Sequence, residues 1–315
     1  YQGVDCIRAR DGLVYAAAYD GAALKKCSSD LVRTDGGHTA AVLTVDGELT
    51  GFAFDGSGDL WLSILTPGGG SLCRAAHDSW GTAVEQVVTQ IDGAPLGAVS
   101  AVEAAPDGRI YFAVAAAAGA ADGLESTLRT ELLAHTGTGC VYVYDPAARS
   151  VQKVLGGVAG AAGLALSPDG STLYVSDLAN RCVWRVSADA QDLTAGGKNC
   201  SSFVSGLPGY PGALAMDPDG TLYIGYRWAR SSWLEKNAGS TLLRGIALRA
   251  GRNLQEKLFS LPADVPCAEA VDTADGSWQR VVSGRGAGSV TALCPVESRL
   301  YLGLAGSEKV RSANL

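Results

Sequence analysis

A short motif that recurs six times along the chain constrains its fold more than any other feature. Each copy has an apolar strand, a turn that usually contains Asp and Gly, and a second strand that carries an aromatic residue. The six aromatics are Tyr15, Trp61, Tyr111, Tyr174, Tyr223 and Tyr301. Asp-Gly between two apolar runs predicts a tight hairpin, because glycine adopts the positive φ that such a turn requires. The chain therefore consists of six hairpin-containing units.

The spacing of these units predicts how they assemble. Successive aromatics lie 46, 50, 63, 49 and 78 residues apart. A unit of this size holds about four short strands, and such a sheet buries both faces only between neighbouring units. We therefore predict an all-β fold, a six-bladed β-propeller in a single domain. The alternative is a β-sandwich, although sandwiches lack so long a repeat. The expected blades are residues 1–46, 47–97, 98–160, 161–209, 210–286 and 287–315.

Two of the spacings exceed the period and indicate insertions. In the first, Leu124, Leu128 and Leu132 recur every four residues, which predicts a short helix in blade 3 with one apolar stripe. We expect this helix to lie over one face of the propeller. The second insertion contains polar and aromatic residues between Arg227 and Trp233. These residues form either a ligand or partner surface or an ordinary packed loop.

The charge and hydropathy of the chain exclude two classes of partner. The formal net charge is −7 over 315 residues, and Lys and Arg do not cluster. Nucleic-acid binding needs clustered cations, so we expect no nucleic-acid partner. The longest apolar run, from Tyr111 to Ala121, is well short of the roughly 20 residues that a membrane-spanning helix needs. We expect no membrane-spanning segment in this chain.

The cysteines and one sequon favour an oxidising compartment. Eight dispersed cysteines and only three histidines make a zinc site a poor explanation. An even number of dispersed cysteines is typical of disulfides, and we expect Cys182 and Cys200 to pair across neighbouring strands of blade 4. Eight buried thiols are the alternative. Asn199 begins a glycosylation sequon, which also indicates a secreted or cell-surface protein.

Four segments in the middle of the chain form a specific pattern. They are HTGTGCVYVYDP at 135–146, GLALSPDG at 163–170, NRCVW at 180–184 and LPGYP at 207–211. In order and spacing these segments resemble the strictosidine synthase-like family, which includes the adipocyte plasma-membrane-associated proteins. The resemblance implies a six-bladed propeller, in agreement with the repeat count. It also implies a reactive site at the mouth of the central channel.

The resemblance places few reactive side chains at that mouth. The proton-handling glutamate of strictosidine synthase falls at Thr291, which does not accept a proton near neutral pH. Related propeller hydrolases hold an axial calcium, whose expected ligands fall at Thr50, Ser100, Ala162, Gly212 and Ala213. Asp5 and Asp177 remain acidic near the channel, whereas calcium binds roughly six to eight oxygens, several of them anionic. We therefore expect no cofactor, with calcium disfavoured.

These replacements leave two functional hypotheses. The first is a catalytically degenerate propeller that serves as an extracellular binding or structural module, with a protein partner or within a larger assembly. The second is an enzyme, either a metal-dependent esterase or lactonase or an amine–aldehyde condensing enzyme. We favour the first because polar axial residues are missing, although fold alone does not fix function. The candidate residues at the channel mouth are Asp5, Ser100, Asp177, Tyr226 and Thr291.

Overall fold

Six sheets surround a central axis in a computed structural model of the chain. The structure describes residues 3–19, 27–34, 38–118, 123–237, 240–251, 267–282, 289–307 and 309–315. The first strand of each sheet contacts the first strand of the next, and the sixth sheet contacts the first. The six-bladed β-propeller predicted from the repeat is therefore confirmed.

The first three sheets follow the chain in order. The first contains β1 (Gly3–Arg10), β2 (Leu13–Tyr19), β3 (Ser28–Thr34) and β4 (Thr39–Asp46). The second contains β5 (Glu48–Phe54), β6 (Leu60–Thr66), β7 (Gly69–Ala75) and β8 (Glu85–Val88). A small hairpin follows, formed by β9 (Gln90–Ile91) and β10 (Ala94–Pro95). The third sheet contains β11 (Val99–Ala104), β12 (Ile110–Val114), β13 (Gly139–Asp145) and β14 (Ser150–Val158).

The last three sheets repeat this arrangement, except that one short strand of the fourth repeat pairs with the third sheet. The fourth contains β15 (Ala161–Leu166), β16 (Thr172–Asp177), β17 (Cys182–Ser187) and β19 (Ser201–Ser205). The intervening β18 (Leu193–Thr194) instead pairs in parallel with β14 and links the third and fourth blades. The fifth contains β20 (Gly209–Met216), β21 (Thr221–Ala229), β22 (Ala268–Asp272) and β23 (Trp278–Val282). The sixth contains β24 (Val290–Val296), β25 (Arg299–Leu304) and β26 (Arg311–Asn314).

The turns between first and second strands explain the repeated motif. Each repeated aromatic lies on the second strand of its sheet. Gly58 has a φ of 91°, a conformation that glycine adopts without steric cost. Asp55 accepts a hydrogen bond from Trp61 Nε1 at 2.9 Å, and Asp217 accepts one from Tyr223 Oη at 3.1 Å. In these two blades the aromatic side chain therefore holds the turn as well as the core.

Three helices lie on one face of the propeller. They are α1 (Leu124–Ala134), between β12 and β13, and α2 (Ser232–Lys236) and α3 (Thr241–Arg249), between β21 and β22. Each joins a second strand to a third strand, so all three lie at the end opposite the hairpin turns. We call these ends the helical face and the hairpin face. Leu124, Leu128 and Leu132 are buried, which confirms the predicted helix in blade 3. Among the described helices, none is long and apolar enough to cross a membrane.

The expected disulfide between Cys182 and Cys200 is wrong. β17 and β19 are neighbours, but their register pairs Cys182 with Ser205 and Arg185 with Ser201. The two cysteines therefore lie toward opposite ends of the strand pair, and both are buried free thiols. Asn199 is exposed in the turn before β19, and its glycosylation stays a prediction.

Candidate functional site

The six innermost strands line a narrow channel, and each carries a β-bulge at a corresponding position. The register shifts occur between first and second strands in every sheet. A bulge adds one residue to one strand and re-aims its side chain. The ring of residues at these bulges surrounds a cavity of about 30 Å³, room for one water-sized species. The ring residues are Asp5, Thr50, Ser100, Ala162, Ala213 and Thr291.

The hydroxyl groups of this ring donate to backbone oxygens. Ser100 Oγ donates to the carbonyl of Ala161 in the next blade at 2.6 Å. Thr291 Oγ1 donates to the carbonyl of Val4 and so joins the last blade to the first. Thr50 donates within its own sheet. Each hydroxyl oxygen therefore keeps its lone pairs available beside the cavity.

Asp5 is the acidic member of the ring. Its Oδ2 is inaccessible to solvent and has no hydrogen-bond partner among the described residues. Burial, together with the nearby negative charge of Glu48, raises the pKa of Asp5 to about 8, although Arg227 acts in the opposite direction. Buried polar atoms are nearly always hydrogen-bonded, so a carboxyl oxygen without a partner indicates a place for a ligand, an ion or a proton.

Charged residues from distant parts of the chain surround Asp5 on the helical face. Glu48 Oε2 accepts a hydrogen bond from the backbone N–H of Leu124, at the start of α1, at 3.0 Å. Glu125 Oε2 accepts from both Nε and Nη2 of Arg227, each at 2.8 Å. The Arg227 side chain is only 6% exposed. The mouth of the channel therefore holds three carboxyl groups, those of Asp5, Glu48 and Glu125, around one buried guanidinium.

The carboxyl groups of this network differ in their protonation. Burial raises the pKa of Glu48. Burial would also raise the pKa of Glu125, but the positive charges of Arg227 and Arg129 outweigh it and hold that pKa below its ordinary value. Opposite shifts in neighbouring groups are typical of sites that bind and move protons. Here Glu125 is the ionised partner, and Asp5 and Glu48 retain protons more readily.

Gly123 allows the contact between Glu48 and α1. Its φ is 88°, and a Cβ atom there would lie 2.9 Å from Glu48 Oε2. Glycine is the residue that adopts this conformation without strain and leaves room for the carboxylate. A glycine before the leucine stripe of α1 is the sequence signal for this approach, although its partner is 75 residues away.

Two of the sequence candidates lie outside the cavity. Asp177 accepts hydrogen bonds from Asn180 Nδ2 and Trp184 Nε1, both at 2.9 Å, and so organises a turn of the fourth blade. Tyr226 is fully buried and donates to Glu269 Oε2 at 2.6 Å on the neighbouring strand. Asp5, Ser100 and Thr291 do line the cavity.

Sequence reasoning did not single out Glu48 or Glu125. Arg227 belonged to the insertion considered as a ligand surface, where it adjoins Trp228. The Arg227 side chain faces Glu125 and is buried, so this residue does not belong to an exposed ligand surface.

Solved structures with the same fold include a gluconolactonase and a calcium-binding protein. A gluconolactonase from Xanthomonas campestris has a TM-score of 0.64 and 15% identity, and the match covers 99% of this chain and 86% of that one. A regucalcin from Agrobacterium tumefaciens, described as calcium-binding, has a TM-score of 0.57 and 14% identity over 95% of this chain and 81% of that one. At such identities the likeness shows the fold alone.

A curated relative is similar in sequence over part of its length. The lactonase drp35 from Staphylococcus saprophyticus is 29% identical over an alignment of 154 residues, and the match covers 44% of this chain and 45% of that protein. The match therefore spans less than half the length of this relative.

The comparisons overturn the assignment to the strictosidine synthase-like family. With it falls the interpretation as a catalytically degenerate structural module, because the family model that matches is that of the SMP-30/gluconolactonase/LRE-like region and the curated relative is a lactonase. The comparisons support the alternative of a propeller hydrolase. The expectation of no cofactor is also wrong, because the family match is accompanied by a lactonase relative and by a structural neighbour that is described as calcium-binding.

The family model matches the middle of the chain. The SMP-30/gluconolactonase/LRE-like region matches residues 72–240, more than half of the chain, from the second blade to the insertion of the fifth. The chain belongs to the SMP-30/gluconolactonase/LRE-like family.

Proposed function

We propose that the protein hydrolyses small lactones at the helical-face mouth of its channel. The observation that carries this proposal is Asp5 Oδ2, a buried carboxyl oxygen without a hydrogen-bond partner in the described structure, facing a ring of hydroxyl oxygens. Family membership and the partial match to a lactonase support the reaction class. The cavity itself holds only a water-sized species, so a lactone would sit above it, beside Glu48 and Arg227.

A calcium ion fits this ring as a weakly held ligand. The ring supplies one carboxylate, Asp5, and the hydroxyl oxygens of Thr50, Ser100 and Thr291. No group of three acidic, histidine or cysteine side chains suited to a metal occurs in the described parts of the chain. Calcium accepts neutral oxygens and several waters, and its affinity falls as the number of anionic ligands falls. These four residues would hold the ion, which when bound polarises an ester carbonyl as a Lewis acid.

The remaining residues of the mouth suit the other needs of ester hydrolysis. Water adds to the lactone carbonyl carbon, the ring C–O bond breaks, and the product is a hydroxy acid. Glu48, held through Oε2 by Leu124, accepts the proton of the attacking water and returns it to the ring oxygen. Arg227, oriented by two hydrogen bonds to Glu125, faces the negative charge that develops on the carbonyl oxygen.

The test is hydrolysis of a panel of five- and six-membered lactones, followed by acid release with and without added Ca²⁺. We expect metal-dependent turnover and a fall in kcat/KM of at least about a hundredfold in Asp5→Asn, the size typical of lost acid–base or charge stabilisation. Asp169→Asn, at an exposed hairpin turn, is the matched control and should keep full activity. Absence of turnover, or full activity in Asp5→Asn, would overturn the proposal.

An extracellular location and a protein partner, both expected from the sequence, stand as proposals. The exposed position of Asn199 within its sequon supports the first. Endoglycosidase treatment of protein from its natural source should lower its mass, and an unchanged mass would count against glycosylation at Asn199.

A further inference from the structure

A partly buried ion pair, between Arg8 and Glu103, crosses the channel below the ring. Arg8 lies on β1 of the first sheet and Glu103 on β11 of the third, so the guanidinium reaches past the second sheet to its partner. Arg8 also donates to the carbonyls of Ile7 and Val102, at 3.2 and 3.4 Å. The two side chains are 22% and 18% exposed. Several hydrogen bonds therefore fix this pair across the axis.

The pair divides the channel into two chambers. Arg8 lines both the cavity of about 30 Å³ at the ring and a second cavity of about 380 Å³ toward the hairpin face. We call the second cavity the lower vestibule; residues of the first, third, fourth, fifth and sixth blades line it. Its volume lies in the range of roughly 300 to 1,000 Å³ typical of small-molecule sites. It is separate from the mouth at Asp5.

The walls of the lower vestibule combine apolar and polar surface. Ala104, Leu166 and Met216 line it, and exposed prolines at the hairpin turns form a rim open to solvent; they are Pro106, Pro168 and Pro218. Cys294 also lines it, and burial raises the pKa of its thiol to about 11, so this group stays neutral. Apolar walls with a small number of placed polar groups are the usual form of a ligand site.

Glu103, paired with Arg8, is the hydrogen-bond acceptor at the inner end of the vestibule. Its Oε1 accepts from Arg8, and Oε2 makes no hydrogen bond to the described residues. Burial raises the pKa of this carboxyl group, while Arg8 acts in the opposite direction. A ligand cation would be repelled by Arg8, and a ligand anion would be repelled by Glu103. The arrangement favours an uncharged group that donates one hydrogen bond.

We propose that the lower vestibule binds a small uncharged molecule with an apolar body and one hydroxyl group, which donates to Glu103 Oε2. This site lies at the opposite end of the channel from the proposed lactone site and does not depend on it. The apolar body fills the space between Ala104, Leu166 and Met216, and the hydroxyl replaces water at the ion pair.

Calorimetric titration with three probes of one shape tests this proposal. The probes are cyclohexanol, cyclohexylamine, a cation at neutral pH, and cyclohexanecarboxylate, an anion. We expect cyclohexanol to bind at least about tenfold more tightly than either charged probe, because a hydrogen-bonding site discriminates against mismatched groups. Equal binding of all three probes, or no binding of cyclohexanol, would overturn the proposal.

Two variants locate the binding. Met216→Trp fills the vestibule and should abolish cyclohexanol binding, whereas Asp5→Asn, above the ion pair, should leave it unchanged. Glu103→Gln leaves Arg8 without its counter-charge and should reverse the order, so that cyclohexanecarboxylate binds best. If Met216→Trp binds cyclohexanol as the wild type does, or Asp5→Asn loses it, the probe binds elsewhere and the proposal fails. Lactone hydrolysis measured on the same Met216→Trp protein should be unchanged.

Discussion

The chemistry of single residues at the channel mouth centres on a buried guanidinium. Arg227 is 6% exposed, and its guanidinium donates two hydrogen bonds to the carboxylate of Glu125. A buried charge that loses its counter-charge is strongly destabilising, since the desolvation penalty remains without the attraction that offsets it. The pair therefore fixes the mouth and also limits which substitutions it tolerates.

We predict that Glu125→Gln lowers the free energy of unfolding by about 2 to 4 kcal/mol, because it keeps the size of the side chain but leaves Arg227 without a negative partner. Denaturant unfolding measures this change. Glu235→Gln is the matched control: Glu235 pairs with Arg181 at 3.0 Å and with Arg230. These arginine side chains are 20% and 52% exposed, so water solvates them after the loss of Glu235, which should cost less than about 1 kcal/mol. Equal effects of the two substitutions would show that Arg227 is not held by Glu125 in solution.

The residues of the mouth show where prediction from sequence stops. Asp5, Ser100 and Thr291 were placed at the channel through a resemblance to propellers, and a bulge on each strand does bring them to one cavity. Glu48 and Glu125 come from different blades and lie close together only when the second and third blades pack side by side and α1 covers the mouth of the channel. Period-two and period-four patterns report local structure, so they carry no signal for such a contact.

Among the elements, the hairpin turns are held by side-chain hydrogen bonds that the Asp-Gly repeat only partly predicts. In the second blade, Asp55 Oδ1 accepts from Ser57 N and Asp59 N, at 2.9 and 3.0 Å, while Oδ2 accepts from Trp61 Nε1. Burial would raise the pKa of Asp55, but hydrogen bonds from Ser57 and Trp61 outweigh it and leave that pKa below its ordinary value. The ionised carboxylate therefore stabilises the turn.

We predict that Asp55→Asn destabilises the protein by about 1 kcal/mol at pH 7, because an amide cannot accept all of these hydrogen bonds. Since the pKa is lower in the folded state, the contribution is present above the unfolded value of 3.8 and is lost as pH falls through the folded value. The difference between variant and wild type should therefore shrink toward pH 3 in urea unfolding. Asp219→Asn, exposed in the corresponding turn of the fifth blade, should be near neutral at both pH values. A difference that grows toward pH 3 would contradict this assignment.

The helices differ in how well the sequence predicts them. The leucine stripe of α1 is buried, so its periodicity is visible. α2 and α3 are short. Their N-cap residues are Ser231 and Ser240, whose side chains accept hydrogen bonds from backbone N–H groups of the first turn. Leu242 and Ile246 of α3 recur four residues apart but are exposed, so the apolar stripe of this helix does not mark a face that packs against the core. Capping residues alone do not distinguish such helices from loops.

At the scale of the whole molecule, the ring closes through side-by-side packing of its first and last sheets. β1 belongs to the first sheet and β24 to the sixth, and in the described structure neither sheet takes a strand from the other. The closing seam contains the Thr291 hydrogen bond to Val4 and a close approach of Gly303. A Cβ atom on Gly303 would lie 2.8 Å from Val4 O and 2.9 Å from Ala292 Cβ. The seam therefore depends on the absence of one side chain.

We predict that Gly303→Ala weakens this closure and lowers the free energy of unfolding by about 1 to 3 kcal/mol, because overpacking against a backbone oxygen forces the two sheets apart. Gly245→Ala is the matched control, since a Cβ there meets nothing within 4 Å and alanine favours α3 by about 0.5 to 1 kcal/mol. Urea unfolding of the two variants gives opposite signs if the seam is as tight as the structure shows. A Gly303→Ala protein as stable as the wild type would mean that the first and last blades lie further apart than in the structure. The cavity beside Asp5, which borders the same seam, would then have a volume larger than about 30 Å³.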